Sequence, residues 1–249
     1  MSPLAPPTAL IVGASGTLGG RIASELGVRG YALGLHAHSH PEACARLAEA
    51  AAARGTRAVC YAADFRDTGA PAALAASFLK DFGRIDALVW ASGLTRDAPL
   101  LTLREEDLRE VLNVDLRAFF LLLKAFTRTF LKQKAGSVVA LSSHAGLAGR
   151  AGGVPYAMAH SGLLALVKSA AREFGPYGAR INAVLPPFVP ESGLGRTATP
   201  EFAAAAKARA VLKKELDGAG AVAQFVAAIL ENPAVAGQVL CVDSRITGV

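Results

Sequence analysis

Cysteine is scarce: Cys44, Cys60 and Cys241 are the only three in 249 residues, and none forms a CxxC pair. That argues against a disulfide scaffold and fits a reducing compartment, so a cytoplasmic protein is expected. Charge is sparse too, at 18% of residues against 52% hydrophobic, which excludes a disordered chain and leaves ample material for a core. Aromatics make up 6% and no Lys/Arg-rich run occurs, so the composition argues against a nucleic-acid binder. The net charge of +6 favours acidic partners such as phosphorylated small molecules. A long uncharged hydrophobic run is also missing. The most apolar stretch, LRAFFLLLKAFTRTFL (116–131), carries Arg117, Lys124 and Arg128 and reads as a buried helix rather than a membrane span. The opening MSPLAPPTALIVG has no basic region ahead of an apolar signal core, so no secretory signal is expected.

What is present alternates. Short apolar runs at 8–13, 31–38, 57–64, 85–93, 137–143, 179–186 and 238–243 are separated by helical patterns, including a long one over 104–133 and others over 155–174 and 219–230. Strands without polar alternation are buried on both faces, which implies a parallel sheet covered by helices. The expectation is a single-domain doubly wound (Rossmann-type) α/β fold with a seven-stranded parallel sheet, spanning 1–249. No repeat or linker divides the chain.

The first strand runs into VGASGTLGG (12–20), where Gly13, Gly16 and Gly19 are spaced GxxGxxG before a helix. Glycine permits a sharp turn and close approach of a phosphate, and the helix N-terminus supplies free N–H groups. A tight turn without ligand is the alternative. The second strand ends GLHAHSHPE, with no acid before Glu42 to hold a ribose 2′-hydroxyl; Ser39 and the histidines beside it suit a 2′-phosphate instead, pointing to NADP(H) rather than NAD. His36, His38 and His40 alternate and would share one face of a strand. Three histidines could ligate zinc, but no fourth ligand is evident, so no metal is expected.

Ser143 closes the fifth strand and Tyr156 follows at a helix start. A hydroxyl there can polarise a carbonyl, and a phenol can protonate the alkoxide formed by hydride transfer. A helix-capping serine and a packed tyrosine are the plainer reading of that pair alone. GASGTLG, AADFRD (62–67), GLTRDAPLLTLREEDLREVLNVDLRAFFLL (93–122), SVVALSSHAG (137–146), PYAMAHSGLLALVKSAAREFGPYGARINAVLPPFV (155–189) and VAGQVLCVD (235–243) together resemble the short-chain dehydrogenase/reductase family, and within it the 3-oxoacyl-[acyl-carrier-protein] reductases. The resemblance implies a catalytic set of Asn113, ordering a relay water, Ser143 at the substrate carbonyl, Tyr156 as general acid and His160. It implies cofactor contacts at Gly13, Ser15, Gly16, Thr17, Leu18 and Gly19, at His38 and Ser39, at Asp64 and Phe65, at Ala91, Ser92 and Gly93, and at Tyr156, His160, Pro186, Phe188 and Val189, with Val184 along the nicotinamide side. A substrate lid would cover about 189–215.

Departures from that pattern cluster at the cofactor. His160 replaces the family's lysine, Trp90 and Ala91 replace two asparagines, Thr17 replaces a glycine, Pro187 follows Pro186, and Ser244-Arg245 replaces a glycine pair. Histidine can bridge a ribose hydroxyl and a water, but at neutral pH it forfeits most of the lysine's charge. Two functions are therefore expected. One is NADPH-dependent reduction of a 3-oxoacyl thioester or similar ketone, with an acyl-carrier protein meeting Lys132 and Lys134 near the site mouth, unless those lysines are an ordinary solvated helix end. The other is an impaired homologue serving as a non-catalytic subunit beside an active partner, with Trp90 narrowing the pocket. In either case the resemblance implies a dimer or tetramer, homo- or hetero-oligomeric, associating through helices near 105–132 and 155–174, whose apolar faces include Phe119, Phe120, Leu163 and Leu166.

Overall fold

The computed structural model describes residues 5–212 and 216–245. Strands β1 (Thr8–Val12), β2 (Ala32–Ala37), β3 (Ala58–Ala62), β4 (Ala87–Trp90), β5 (Gly136–Leu141), β6 (Ala179–Leu185) and β7 (Val239–Cys241) form one parallel sheet in the order β3-β2-β1-β4-β5-β6-β7. Every residue of β1, β2 and β4 is buried, whereas the edge strands β3 and β7 keep partial exposure. The apolar runs mark these strands because central strands must bury both faces under helices.

Helices α1 (Thr17–Val28), α2 (Pro41–Ala52) and α10 (Gly218–Glu231) lie on one face, packed on Ile11, Leu35, Val89 and Val184. The other face carries α3 (Ala70–Phe82), α5 (Ala118–Gln133) and α7 (Val154–Phe174), packed on Leu10, Leu88, Trp90 and Ile181. The long helical pattern is broken in the structure: α4 (Glu105–Val111) passes into α5 through a π-helical turn, Leu112–Arg117. A short α6 (Ala145–Ala148) precedes α7. The expected lid holds α8 (Gly193–Arg196) and α9 (Pro200–Arg209); its residues 213–215 lie outside the described residues. Among the described residues no helix is long and apolar enough to cross a membrane.

Trp90 corrects an expectation. Its side chain is 0% exposed and points into the α3/α5 layer, stacked against Phe65 with ring centroids 5.3 Å apart and tilted on Phe119 at 5.3 Å. It does not line the cavity described below, so it cannot narrow it. Trp90→Ala should destabilise the fold by about 3–5 kcal/mol in urea unfolding. Trp90→Phe, which also removes the buried indole N–H that has no partner, should cost less than about 1.5 kcal/mol.

Candidate active site

The strand order reverses between β1 and β4, and in such sheets ligands bind beyond the carboxyl ends at that point. A cavity of about 740 Å³ lies there. Leu18 of α1 lines it, with Ala91, Ser92 and Gly93 after β4, Ser143 after β5, Tyr156 and His160 on α7, and Pro186, Phe188 and Val189 after β6. The expected site residues thus converge from five separate segments.

Pro155 in the first turn of α7 starts the helix without needing a donor. Tyr156 and His160, four residues apart, then stand one above the other, with ring centroids 4.0 Å apart. Gly146 allows α6 to press against them: a β-carbon there would come within 2.8 Å of the His160 carbonyl carbon. Ser142 Oγ donates to the His160 carbonyl at 3.2 Å, and Ser161 Oγ to that of Gly146. Arg150 lies over the Tyr156 ring at 5.8 Å and holds both Asp97 oxygens at 2.7 Å. Burial pushes the Tyr156 phenol up to about 12, against an opposing pull from Ser143. Burial alone lowers His160 to about 4, so its imidazole is neutral at pH 7.

The π-helical turn brings a further side chain to this group. Asp115 is 0% exposed; its Oδ1 accepts the Leu94 N–H at 2.8 Å, and its Oδ2 lies 3.9 Å from His160 Nε2. Burial holds its carboxyl well above the usual range, with the Leu94 N–H opposing. Asn113, expected here, is half-buried and does not line the cavity. On a helical turn, the side chain two residues on faces elsewhere, so Asp115 takes the place beside Tyr156 and His160 that was expected of Asn113.

At the dinucleotide end, Gly13 and Gly19 are packed too closely for any side chain. A β-carbon on Gly13 would come within 2.8 Å of the Ala91 carbonyl oxygen, and one on Gly19 within 2.2 Å of the Gly13 oxygen. Gly16 caps α1 with no side-chain hydrogen bond, leaving the first-turn N–H groups at Thr17 and Leu18 open. Thr17 Oγ1 donates to the Glu191 carbonyl at 2.7 Å, joining the loop to the lid. Ser15 shares this loop, whose uncapped helix start and tight glycines fit the diphosphate of a nicotinamide dinucleotide. Beyond β2, Ser39 Oγ is 2.9 Å from His38 Nδ1, and His38 Nε2 is 3.3 Å from Asp64 Oδ2.

The short chain dehydrogenase family model matches residues 7–201. The chain belongs to that family. It is 31% identical over 182 residues to the 3-oxoacyl-[acyl-carrier-protein] reductase FabG of Staphylococcus aureus, covering 73% of this chain and 74% of that one. It is 34% identical over 190 residues to the 3-oxoacyl-[acyl-carrier-protein] reductase of Synechocystis sp., covering 76% of each. The crystal structure of an NAD+-bound xylitol dehydrogenase superposes with a TM-score of 0.86 at 24% identity, over 96% of this chain and 98% of that one, a likeness of fold.

Within this short-chain dehydrogenase, several side chains stand away from where the sequence put them. Phe65 turns into the core, stacked on His36 at 4.7 Å, so it offers a ligand only its backbone. Val184 is 0% exposed inside the α1/α10 layer. Lys132 and Lys134 end α5 just before β5 begins, at the amino edge of the sheet, opposite the cavity mouth. The three alternating histidines share no face: β2 ends at Ala37, His36 is buried, and His38 and His40 are exposed beyond the strand. Among the described residues no group of three His, Cys, Asp or Glu is placed to hold a metal.

His36 has a role that the sequence did not reveal. Its Nδ1 accepts the Gly13 N–H at 3.2 Å, which leaves Nε2 to donate to the Ala63 carbonyl at 3.1 Å. It therefore ties the glycine loop to the loop after β3. Arg96, Arg150 and Arg209 around the cavity were also missed, as was Asp243, which accepts from Arg245 Nε at 2.6 Å and lies 3.1 Å from His144 Nε2. Burial raises the Asp243 carboxyl, but the close His144 ring and the Arg245 hydrogen bonds outweigh it and hold the group far below the usual range.

Burial lowers His36 to about 4 in the folded protein, against the Ala63 hydrogen bond. The unfolded chain takes up the proton near pH 6.5, so this contribution is full above that pH, falls as pH drops toward 4 and is flat below. His36→Gln, which keeps a donor and an acceptor but cannot titrate, should remove about 3 kcal/mol from the loss of stability between pH 6.5 and pH 4, read by urea unfolding at each pH.

Proposed function

We propose that this protein is an NADPH-dependent reductase of ketones, with 3-oxoacyl thioesters as its substrate class. The observation that carries the reading is Tyr156 beside Ser143 in a cavity that reaches Leu18 in the uncapped first turn of α1, where burial raises the Tyr156 phenol. When bound, the reduced nicotinamide supplies a hydride to the carbonyl carbon. Ser143 holds the carbonyl oxygen, and Tyr156 Oη gives its proton to that oxygen as it becomes an alkoxide. Arg150, held by Asp97, lies over the Tyr156 ring at 5.8 Å. The relatives' printed names support the substrate class. His38 and Ser39 support a 2′-phosphate by offering polar contacts at the end of β2.

Arg96, Arg150 and Arg245 at the cavity are ion-paired with Glu110, Asp97 and Asp243, so support for a thioester carried on an acidic carrier protein comes from the net charge of +6 and from the relatives' printed names. Association through α5 and α7 accords with the exposed Phe120 and Met158, although Phe119 and Leu163 are spent on the protein's own core and Leu166 is half-buried. The reading as a non-catalytic subunit loses its Trp90 argument and rests on His160 and on the other departures at Thr17, Ala91, Pro187 and Ser244-Arg245.

Direct titration should show tighter binding of NADPH than NADH, and Ser39→Asp should reverse or erase that preference; equal affinities in both proteins would count against the assignment. Tyr156→Phe should lower ketone reduction by about 10²–10⁴-fold in a protein that still binds NADPH. With the phenol raised to about 12, reduction should be flat through neutral pH, and alcohol oxidation should be slow at pH 7 and climb with pH. Oxidation as fast as reduction at pH 7, at matched driving force, would overturn the proton-donor role.

A further inference from the structure

Behind Tyr156 lies a buried group of polar atoms with no partners. Asp115 is 0% exposed and His160 3%. Asp115 Oδ2 and both ring nitrogens of His160 make no hydrogen bond, while Oδ1 is held by the Leu94 N–H. The unpartnered atoms face each other, with Nε2 3.9 Å from Oδ2. That span is too long for a direct hydrogen bond and short enough for a small ring rotation or one shared water to close. Orphaned polar atoms at such depth are expensive, and pairing is the obvious relief.

The fold holds the two groups together from both sides. Asp115 is fixed in the π-helical turn, a local geometry that recurs at functional sites, and α7 packs on that turn at Gly162, where a β-carbon would come within 2.5 Å of Leu116. Gly146 and Ser142 fix the His160 backbone. Tyr156 is the titratable neighbour on α7; beyond its ring stand Arg150, from the loop after α6, and Asp97, from the loop after β4. Ser143 faces them from the end of β5. Burial raises the Asp115 carboxyl and lowers the His160 imidazole. A protonated carboxyl with neutral imidazole, and a carboxylate with imidazolium, each carry one transferable proton and no net charge. They differ only in which side of the gap holds it.

We propose that Asp115 and His160 share one proton across this gap and act as a proton-holding unit behind Tyr156. Asp115 is then a positioning residue that acts through His160, and its part in turnover rests on the reductase reading above. When the Tyr156 Oη–H bond breaks and the substrate O–H bond forms, the phenolate is reprotonated from the imidazole N–H through one bridging water, since neither ring nitrogen contacts the phenol directly. The imidazole takes the proton of the Asp115 carboxyl, leaving a carboxylate. One proton from solvent restores the unit, so no oxidant or reductant is needed.

The first test is independent of turnover. In the cofactor-free full chain, nitrogen NMR of labelled histidine and carboxyl-carbon NMR of labelled aspartate would be followed with pH, with His160→Gln and Asp115→Asn giving the assignments. Shared protonation requires the His160 and Asp115 signals to move together at the same two midpoints. Asp115→Asn should reduce His160 to a single step near its own value of about 4. In the unmodified protein, a single His160 step that Asp115 does not follow would overturn the proposal whether or not the variants fold.

The second test reads turnover. Asp115→Asn should lower kcat for ketone reduction by about 10²-fold with KM and NADPH affinity unchanged. The Asp115→Asn/His160→Gln double variant should be no slower than the slower single variant, since two residues of one unit are lost only once. Full activity of folded Asp115→Asn would overturn the relay. Coupled titration in a protein that binds NADPH yet reduces no ketone would overturn the reductase reading and uphold the shared proton.

Discussion

Strands β1, β4 and β5 are closed on both faces by helices and on both edges by other strands, so beyond Thr8 at the start of β1 their backbone groups pair within the sheet and their side chains pack in the two apolar layers. Chemistry is thereby driven to the strand ends, where the chain leaves the sheet and polar groups are free. The glycine loop after β1, the Ala91–Gly93 segment after β4, Ser143 after β5 and Pro186 after β6 all stand at the same edge. A parallel sheet cannot put them elsewhere. The reversal of strand order between β1 and β4 opens the space they share.

Burial that makes the sheet stable also sets the electrostatics of this edge. Desolvation penalises the charged form of every group it reaches, so burial lowers His36 and His160 and raises Asp115 and Tyr156. Two of these have direct structural consequences. Neutral His36 can accept from Gly13 and donate to Ala63 at once, which an imidazolium cannot do. Neutral Tyr156 keeps the proton that a reductase needs. Asp243 is the exception because the nearby His144 ring and the hydrogen bonds from Arg245 more than offset its burial.

Most of the fold was legible because its signals are local and repeated. Seven apolar runs gave seven strands, and the glycine spacing located the loop between β1 and α1. The π-helical turn was not legible, since a six-residue change of hydrogen-bonding pitch leaves no mark in composition. Asp115 did carry a signal that went unused: Val111, Asp115, Ala118, Phe119 and Leu122 lie at helical spacing, and all five are buried, whereas Asn113 falls off that stripe. An acid on a buried stripe is the kind of residue a folded chain must justify. His36 could not be read as a tie between loops, because both its partners are backbone groups distant in sequence. Trp90 misled for the same reason that β-strands are hard to face from one short run: a four-residue strand without alternation does not say which side chain points to which layer.

The substitution of histidine for lysine has a different meaning once Asp115 stands beside it. A lysine would bring a fixed positive charge to the phenol, and an adjacent buried carboxylate would then be its counter-ion. With histidine, the carboxyl and the imidazole hold one proton between them at zero net charge, so neither must be solvated. Arg150 and Asp97 cancel likewise on the opposite side of the ring. Tyr156 therefore sits between two pairs with no net charge, and nothing in its surroundings stabilises a phenolate strongly. Such a site favours giving a proton over taking one, which is the direction that reduction of a carbonyl requires.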